Sequence, residues 1–246
     1  MFENDVPKHK IGMLQPLALI DNTPYEFYRM APPRVMLVMI PIGLAEFSKD
    51  DVERVFAPLD SYLDQLMERG IDLVIQNGVP LPILIGVEAH DRMVAHMAEY
   101  TGKPATSQVQ AVAHAARDLG LRKLALANKW SEAMNRTLGQ FFAREGVEIC
   151  GTATKVLSPA EFQKIKTDDN LQLAYDLGRR AFLDYPDCDG VYVGGGAWLA
   201  EPAARQLEKE FGKPVVCNQT AAIREMMTLL DDWKPLSGHG RVLATP

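Results

Sequence analysis

The chain has 246 residues, 47% of them hydrophobic and 24% charged, with a net charge of −6. That length suffices for one large or two small globular domains, and an acidic balance without any basic run argues against a nucleic-acid partner. No apolar run reaches the length of a membrane span, and the opening Met1-Phe-Glu-Asn-Asp5 lacks the basic-then-apolar layout of a secretion signal. The expectation is a cytoplasmic protein with no membrane partner. Cys150, Cys188 and Cys217 are odd in number and lack metal-ligand spacing, so they read as reduced thiols with neither a disulfide framework nor a metal site.

Taken in order, Ile11–Gln15 is a short apolar strand ended by Pro16. The following loop holds Asn22 before Thr-Pro, a pattern that caps a short helix or, alternatively, offers an amide to a bound carboxylate. Val35–Ile40 is a continuous apolar run, as a strand covered on both faces requires. Apolar residues recur at helical spacing from Lys49 to Gly70, which predicts one helix. Leu73–Gln76 is the next strand and Asn77–Leu81 its turn, with a helix over Ala89–Thr101. Gln108–Leu119 is helical, Lys123–Ala127 a strand, Ser131 the cap of another helix, and Val147–Cys150 a strand. Ser158-Pro-Ala-Glu161 matches a capping box. Then come a helix over Leu171–Leu183, a strand over Val191–Val193, a helix over Leu199–Phe211, the strand Pro214–Val216 and a last helix from Gln219 to Leu230. The Pro- and Gly-containing tail from Lys234 is expected on the surface.

Strand and helix alternate almost throughout, which predicts an α/β fold with parallel sheets flanked by helices and a site at the carboxyl ends of the strands. About eight strand candidates fit two four-stranded sheets. The expected lobes are 1–119 and 120–218, with the last helix, 219–246, crossing back onto the first. Asp72-Leu-Val-Ile-Gln-Asn-Gly78 and Asp189-Gly-Val-Tyr-Val-Gly-Gly195 echo one another, with a Gly six residues after each Asp. This suggests a duplicated unit with a cleft between the halves. In the second copy three glycines run into helix-forming sequence. The N–H groups of Gly194, Gly195 and Gly196 are expected to point into open space as a site for a carboxylate or oxyanion, a close-packed turn being the alternative. Pro80 leaves the Asn77–Gly78–Val79 turn with fewer donors.

No Ser/His/Asp set stands at recognisable spacing. His9 and His239 lie near the termini, and His96 and His114 fall within helices. His90 begins the helix after the Asn77–Leu81 turn and could approach the cleft. Cys217 stands at the carboxyl end of a strand and before a helix, where the helix N-terminus would lower a thiol pKa. A small buried hydrophobe is the plainer reading of the same residue.

The chain resembles the aspartate/glutamate racemase superfamily, in its maleate isomerase and arylmalonate decarboxylase branch. The likeness is carried by Ile11-Gly-Met-Leu-Gln-Pro16, Asn22-Thr with Glu26-Phe-Tyr-Arg-Met-Ala-Pro32, Asp72–Gly78, Thr101-Gly-Lys-Pro-Ala-Thr106, Leu124–Ala127 with Asn135, Asp189–Gly196, and Pro214-Val-Val-Cys-Asn-Gln219. It implies two similar Rossmann-like lobes related by a pseudo-twofold axis, with the site between them and no metal or nucleotide cofactor. It also leaves a homo-oligomer open. The family uses cysteines at two facing strand ends, and these positions are Gly78 and Gly195 here. The hydroxylated residues that follow the first position in the decarboxylases are Val79 and Pro80, and a tyrosine of that branch falls on Trp130. Pro16 and Asn22 match, Asn22 falling on a carboxylate-binding Asn of the isomerases.

The reading that results is a cofactor-independent isomerase or decarboxylase-like enzyme acting on a small, in one version aromatic, carboxylic acid without the family's two thiols. Pro16, Asn22, Asn77, Gly78, Val79, Trp130, Gly194, Gly195 and Gly196 are the expected binding residues. Cys217, Glu26 or His90, or a bound water, is the expected proton carrier. A hydrolase or hydratase using activated water and a carboxylate-binding protein without catalysis are the alternatives.

Overall fold

The computed structural model describes residues 5–19, 22–195 and 198–246. The first half contains β1 (His9–Gln15), α1 (Asn22–Met30), β2 (Val35–Pro41), α2 (Lys49–Phe56), α3 (Leu59–Glu68), β3 (Leu73–Gln76), α4 (Pro80–Ile85), α5 (Val87–Thr101), β4 (Ala105–Ser107) and α6 (Gln108–Asp118). The second contains β5 (Lys123–Asn128), α7 (Glu132–Arg144), β6 (Glu148–Thr154), α8 (Pro159–Phe162), α9 (Thr167–Asp184), β7 (Gly190–Val193), α10 (Ala200–Phe211), β8 (Val215–Cys217), α11 (Asn218–Leu229) and α12 (Arg241–Ala244). The strands form two four-stranded sheets, ordered β2-β1-β3-β4 and β6-β5-β7-β8, and every pairing is parallel. The second order repeats the first with four added to each number, so the α/β duplication expected from sequence is present in the topology.

The two echoing aspartates do the same work in both halves. The Asp72 carboxylate accepts the Lys10 N–H at 2.9 Å, tying the start of β3 to β1. The Asp189 carboxylate accepts the N–H groups of Arg122 and Lys123, both at 2.8 Å, tying the start of β7 to β5. Those bonds hold the Asp189 carboxyl below its usual pKa.

Alternate residues of each strand feed separate cores, as a strand period of two requires. In the second sheet Leu124, Leu126, Tyr192 and Val216 face α6 and α7, while Ala125, Ala127, Val191, Val193, Val215 and Cys217 face α9 and α10. In the first, Leu14 and Val74 pack with Leu63, Leu66, Met93 and Met97. Its other face, Ile11, Met13, Leu73 and Ile75, packs on Phe27 of α1 and on Ala222, Ile223, Met226 and Met227 of α11. The closing helices are thus exchanged, since α6 covers the second sheet and α11 covers the first.

Three expectations need correction, and one strand was not foreseen. The single helix over Lys49–Gly70 is two, divided at Ala57-Pro58, because Pro58 carries no N–H to continue the helical ladder. The tail is not all surface, since Val242 and Leu243 of α12 are buried in the two cores beside α11. Ala105–Ser107, to which no element was assigned, is an edge strand on β3. Cys150 and Cys188 are not free thiols but form a disulfide, with Cα atoms 6.5 Å apart; their separation of 38 residues gave no hint of it. Among the described residues no helix is long and apolar enough to cross a membrane, and no group of three or more His, Cys, Asp or Glu side chains is placed to hold a metal ion.

Candidate active site

A cavity of about 50 Å³ lies where the carboxyl ends of both sheets converge. Gln15, Pro16 and Leu17 come from the end of β1, and Asn77, Gly78 and Pro80 from the end of β3. Lys129 and Trp130 follow β5, and Gly195 follows β7. Leu44, Phe47, Leu157, Pro159 and Phe162 close the sides. The wall is therefore mostly apolar, with two amides and a single ionisable side chain, Lys129, among the described lining residues.

Of the expected site residues, Pro16, Asn77, Gly78, Trp130 and Gly195 line this cavity, while Asn22, Val79 and Gly194 do not. Val79 is fully buried in the core behind it. Asn22 opens α1, where its side-chain oxygen accepts a hydrogen bond from the Thr167 hydroxyl at 3.5 Å. Gly196 lies outside the described residues.

The glycine turn is not an open nest of donors. The Gly194 N–H donates to the Ala127 carbonyl at 2.8 Å, continuing the sheet. The Gly195 N–H donates to Asn218 Oδ1 at 3.1 Å. In the other half the Gly78 N–H donates to Gln108 Oε1 at 2.9 Å. Asn218 and Gln108 are equivalent residues, each the first of the helix that follows the last strand of its half. They meet across the molecule, with Asn218 Nδ2 donating to Gln108 Oε1 at 2.8 Å. The buried Tyr192 hydroxyl donates to Asn218 Oδ1 at 2.8 Å. A run of glycines signals a turn, but the partners of its N–H groups are set by residues distant in sequence.

The three expected proton carriers also lie outside the cavity lining. Cys217 is fully buried among α9 and α10 side chains, its sulfur 3.2 Å from the Thr220 hydroxyl. Burial, with Glu26 nearby, pushes its thiol pKa far up, opposite to the lowering expected from a helix N-terminus. His90 Nε2 lies 2.7 Å from the Ser107 hydroxyl and its Nδ1 3.2 Å from Asp91, and the ring packs edge-on against Phe141. Burial lowers its pKa, the Asp91 contact only partly opposing this. Glu26 accepts the Glu201 N–H at 2.7 Å, at the N-terminus of α10. Burial, reinforced by the Glu201 charge, raises its pKa from 4.5 to about 8 against those backbone bonds.

The residue that sequence reasoning missed is Lys129. Its backbone is pinned, the carbonyl accepting the Leu157 N–H at 3.0 Å. The next residue is fixed by Asn128 Oδ1, which accepts the Trp130 N–H at 3.0 Å, and by Asn135 and Thr154, which donate to the Trp130 carbonyl at 3.3 and 3.1 Å. Lys129 Nζ lies 2.9 Å from the ring centroid of Phe162 and 4.2 Å from that of Trp198. Among the described residues it has no carboxylate partner. The two ring faces favour the ammonium, but burial without a counter-charge outweighs them and drives the pKa well below the ordinary lysine value. The available signal was a cation directly after an apolar strand, at the end of the sheet where sites form.

The sequence profile of the family described as arylmalonate decarboxylase matches residues 11–243. The chain belongs to the arylmalonate decarboxylase family. The arylmalonate decarboxylase of Bordetella bronchiseptica is 28% identical over 233 residues, spanning 94% of this chain and 95% of that one. A liganded two-site variant of an arylmalonate decarboxylase superposes with a TM-score of 0.85 at 26% identity, covering 97% of this chain and 100% of the other. A Nocardia farcinica maleate cis-trans isomerase holding a covalently bound succinylcysteine intermediate shares the fold, with a TM-score of 0.83 at 18% identity over 97% of this chain and 99% of that one.

In this arylmalonate decarboxylase family member Gly78 is a backbone requirement. Its φ is +85°, and a β-carbon there would lie 2.5 Å from Pro16 Cγ. A Gly78→Ala variant is expected to lose about 3 kcal/mol, from the left-handed conformation and the clash together. Urea unfolding checks this, and an unchanged midpoint would mean that Pro16 and the turn move apart freely.

Proposed function

We propose that this chain is a cofactor-independent lyase or isomerase acting on a small carboxylic acid with an apolar, aryl-sized substituent. One observation carries the reading: an apolar cavity at the carboxyl ends of both sheets in which, among the described lining residues, the Lys129 amine is the single ionisable group. Membership of the arylmalonate decarboxylase family supports it. Leu44, Phe47, Trp130, Leu157 and Phe162 supply a wall for an aromatic ring, burial of which is favourable at about 25 cal/mol per Å². A carboxylate would enter beside Lys129 and the Gln15 and Asn77 amides. The low-dielectric wall would favour loss of carbon dioxide from a malonate, because charge becomes more dispersed as the carbon–carbon bond breaks.

The test is proton NMR in deuterated buffer with phenylmalonate, methylphenylmalonate and maleate, without added metal or nucleotide. The expected result is conversion of at least one acid, with phenylmalonate giving α-deuterated phenylacetate. No conversion of any of the three, together with no thermal shift by any of them, would sink the reading.

A further inference from the structure

We propose that Lys129 is the proton carrier of this site, its Nζ protonating the reacting carbon from the position beside Gly195. The inference rests on the functional reading above and adds the group that performs it. A β-carbon built on Gly195 would lie only 3.0 Å from Nζ and 3.2 Å from Cε of Lys129. The amine therefore fills the space that a side chain at position 195 would take. Gly78 faces the same cavity from the first sheet, so Nζ sits at the meeting of both strand ends.

Elimination leads to the same residue. Gln15 and Asn77 do not titrate, and the Gly78 and Gly195 N–H groups are already bonded within the protein. A buried amine without a carboxylate partner among the described residues is a costly arrangement for structure alone, which is why such groups concentrate at functional sites. Lysine suits the role because its pKa moves readily on burial, here downward, so the ammonium releases its proton more readily than that of an exposed lysine. A dianionic substrate supplies the missing counter-charge. Binding then draws a proton onto Nζ, and the Phe162 and Trp198 ring faces hold the ammonium once formed.

The step balances. The bond from the α-carbon to the departing carboxylate breaks, and its electron pair passes into an enediolate on the carboxylate that remains. Carbon dioxide leaves. Lys129 Nζ–H gives its proton to the α-carbon, producing the monocarboxylate and a neutral amine, which takes the next proton from water. The sum is malonate dianion plus one proton giving monocarboxylate and carbon dioxide.

The experiment compares wild type with Lys129→Met and Lys129→Arg, using phenylmalonate as the probe and NMR detection of phenylacetate. Methionine matches the length and suits the apolar wall. Arginine keeps a charge but cannot release its proton. Turnover number is expected to fall by about 1,000-fold in both variants, with a much smaller change in KM and, for Lys129→Met, an unchanged or raised melting temperature. Turnover within tenfold of wild type in either folded variant would overturn the proposal while leaving the functional reading intact. A loss confined to KM would overturn it too, making Lys129 a carboxylate anchor. If the wild type itself converts nothing, the functional reading fails for these acids, and Lys129 is judged by NMR of ¹⁵N-lysine-labelled protein. An Nζ that titrates well below the ordinary value of about 10.4 and gains a proton on addition of phenylacetate supports the assignment; an ammonium that stays charged up to that value overturns it.

Discussion

Replacing Asn218 by Ala is expected to destabilise the fold by about 3–5 kcal/mol, read as a shift of the urea unfolding midpoint. One amide serves three groups. Its oxygen accepts from the Tyr192 hydroxyl and from the Gly195 N–H, and its nitrogen donates to Gln108. Truncation leaves two buried donors unpaired, each costing about 1–3 kcal/mol, and removes the link between the halves. Tyr192 cannot turn to water, being fully buried, with its hydroxyl pKa pushed well up by that burial. Asn218→Asp separates shape from chemistry. Its oxygens still accept from Tyr192 and Gly195, but the donor to Gln108 is gone and a carboxylate faces an amide oxygen. Gln108 can answer only by turning its nitrogen inward, which deprives the Gly78 N–H of its acceptor. Both variants should therefore unfold early. A loss under about 1 kcal/mol for the alanine variant would show that water or neighbouring groups replace the amide.

Glu26→Gln is expected to flatten the pH dependence of stability and to leave the variant the more stable protein above pH 8. Burial sets the direction. The carboxyl's pKa rises from 4.5 to about 8 in the folded chain, with Glu201 adding to the rise and Arg29 and the α10 N–H groups opposing it. Between those values the folded state holds a proton that the unfolded state has released, so stability falls as pH climbs through the window. The whole displacement corresponds to roughly 5 kcal/mol at 1.36 kcal/mol per pH unit. Glutamine keeps an oxygen for the Glu201 N–H and has no charge to bury. The variant and wild type should be similar near pH 5 and diverge upward from there. Melting curves at half-unit intervals check this, and parallel curves from pH 5 to pH 9 would place the effect elsewhere. Arg205 and His239 both contact Glu201, so its charge remains partnered in either protein.

The fold was legible where hydrophobicity is written locally. Val35–Ile40, Leu73–Gln76 and Val191–Val193 are apolar runs, and the structure makes strands of all three. The Asp-to-Gly echo was legible because each copy performs the same backbone task. β4 was not, since Ala105-Thr-Ser107 is short and half polar and becomes a strand only by lying against β3. Pro16, Asn77, Gly78, Trp130 and Gly195 do come together around the cavity beyond the strand ends, where parallel-sheet topology puts such residues. The donors and the proton carriers were not legible. Whether a glycine N–H is free depends on Asn218 and Gln108, and whether a cysteine is reactive depends on how completely Cys217 is enclosed. Lys129 was passed over because its distinguishing properties, enclosure and the lack of a partner carboxylate among the described residues, exist only in three dimensions.

The exchange of closing helices between the two sheets has a consequence for how the protein is made. The first half leaves the ribosome with β1 and β3 complete but with only α1 on the α11-facing side of its sheet. Ile11, Met13, Leu73 and Ile75 must wait for Ile223, Met226, Met227 and Leu243, which are translated nearly last. The helix that does arrive in time, α6, belongs largely to a sheet not yet synthesised. The early chain therefore carries a partly exposed sheet face, which favours slow, late closure of the fold over stepwise folding of the halves. It also means that cutting the chain between the halves would not release two independent domains, because each would have lost the helix that seals it to the other.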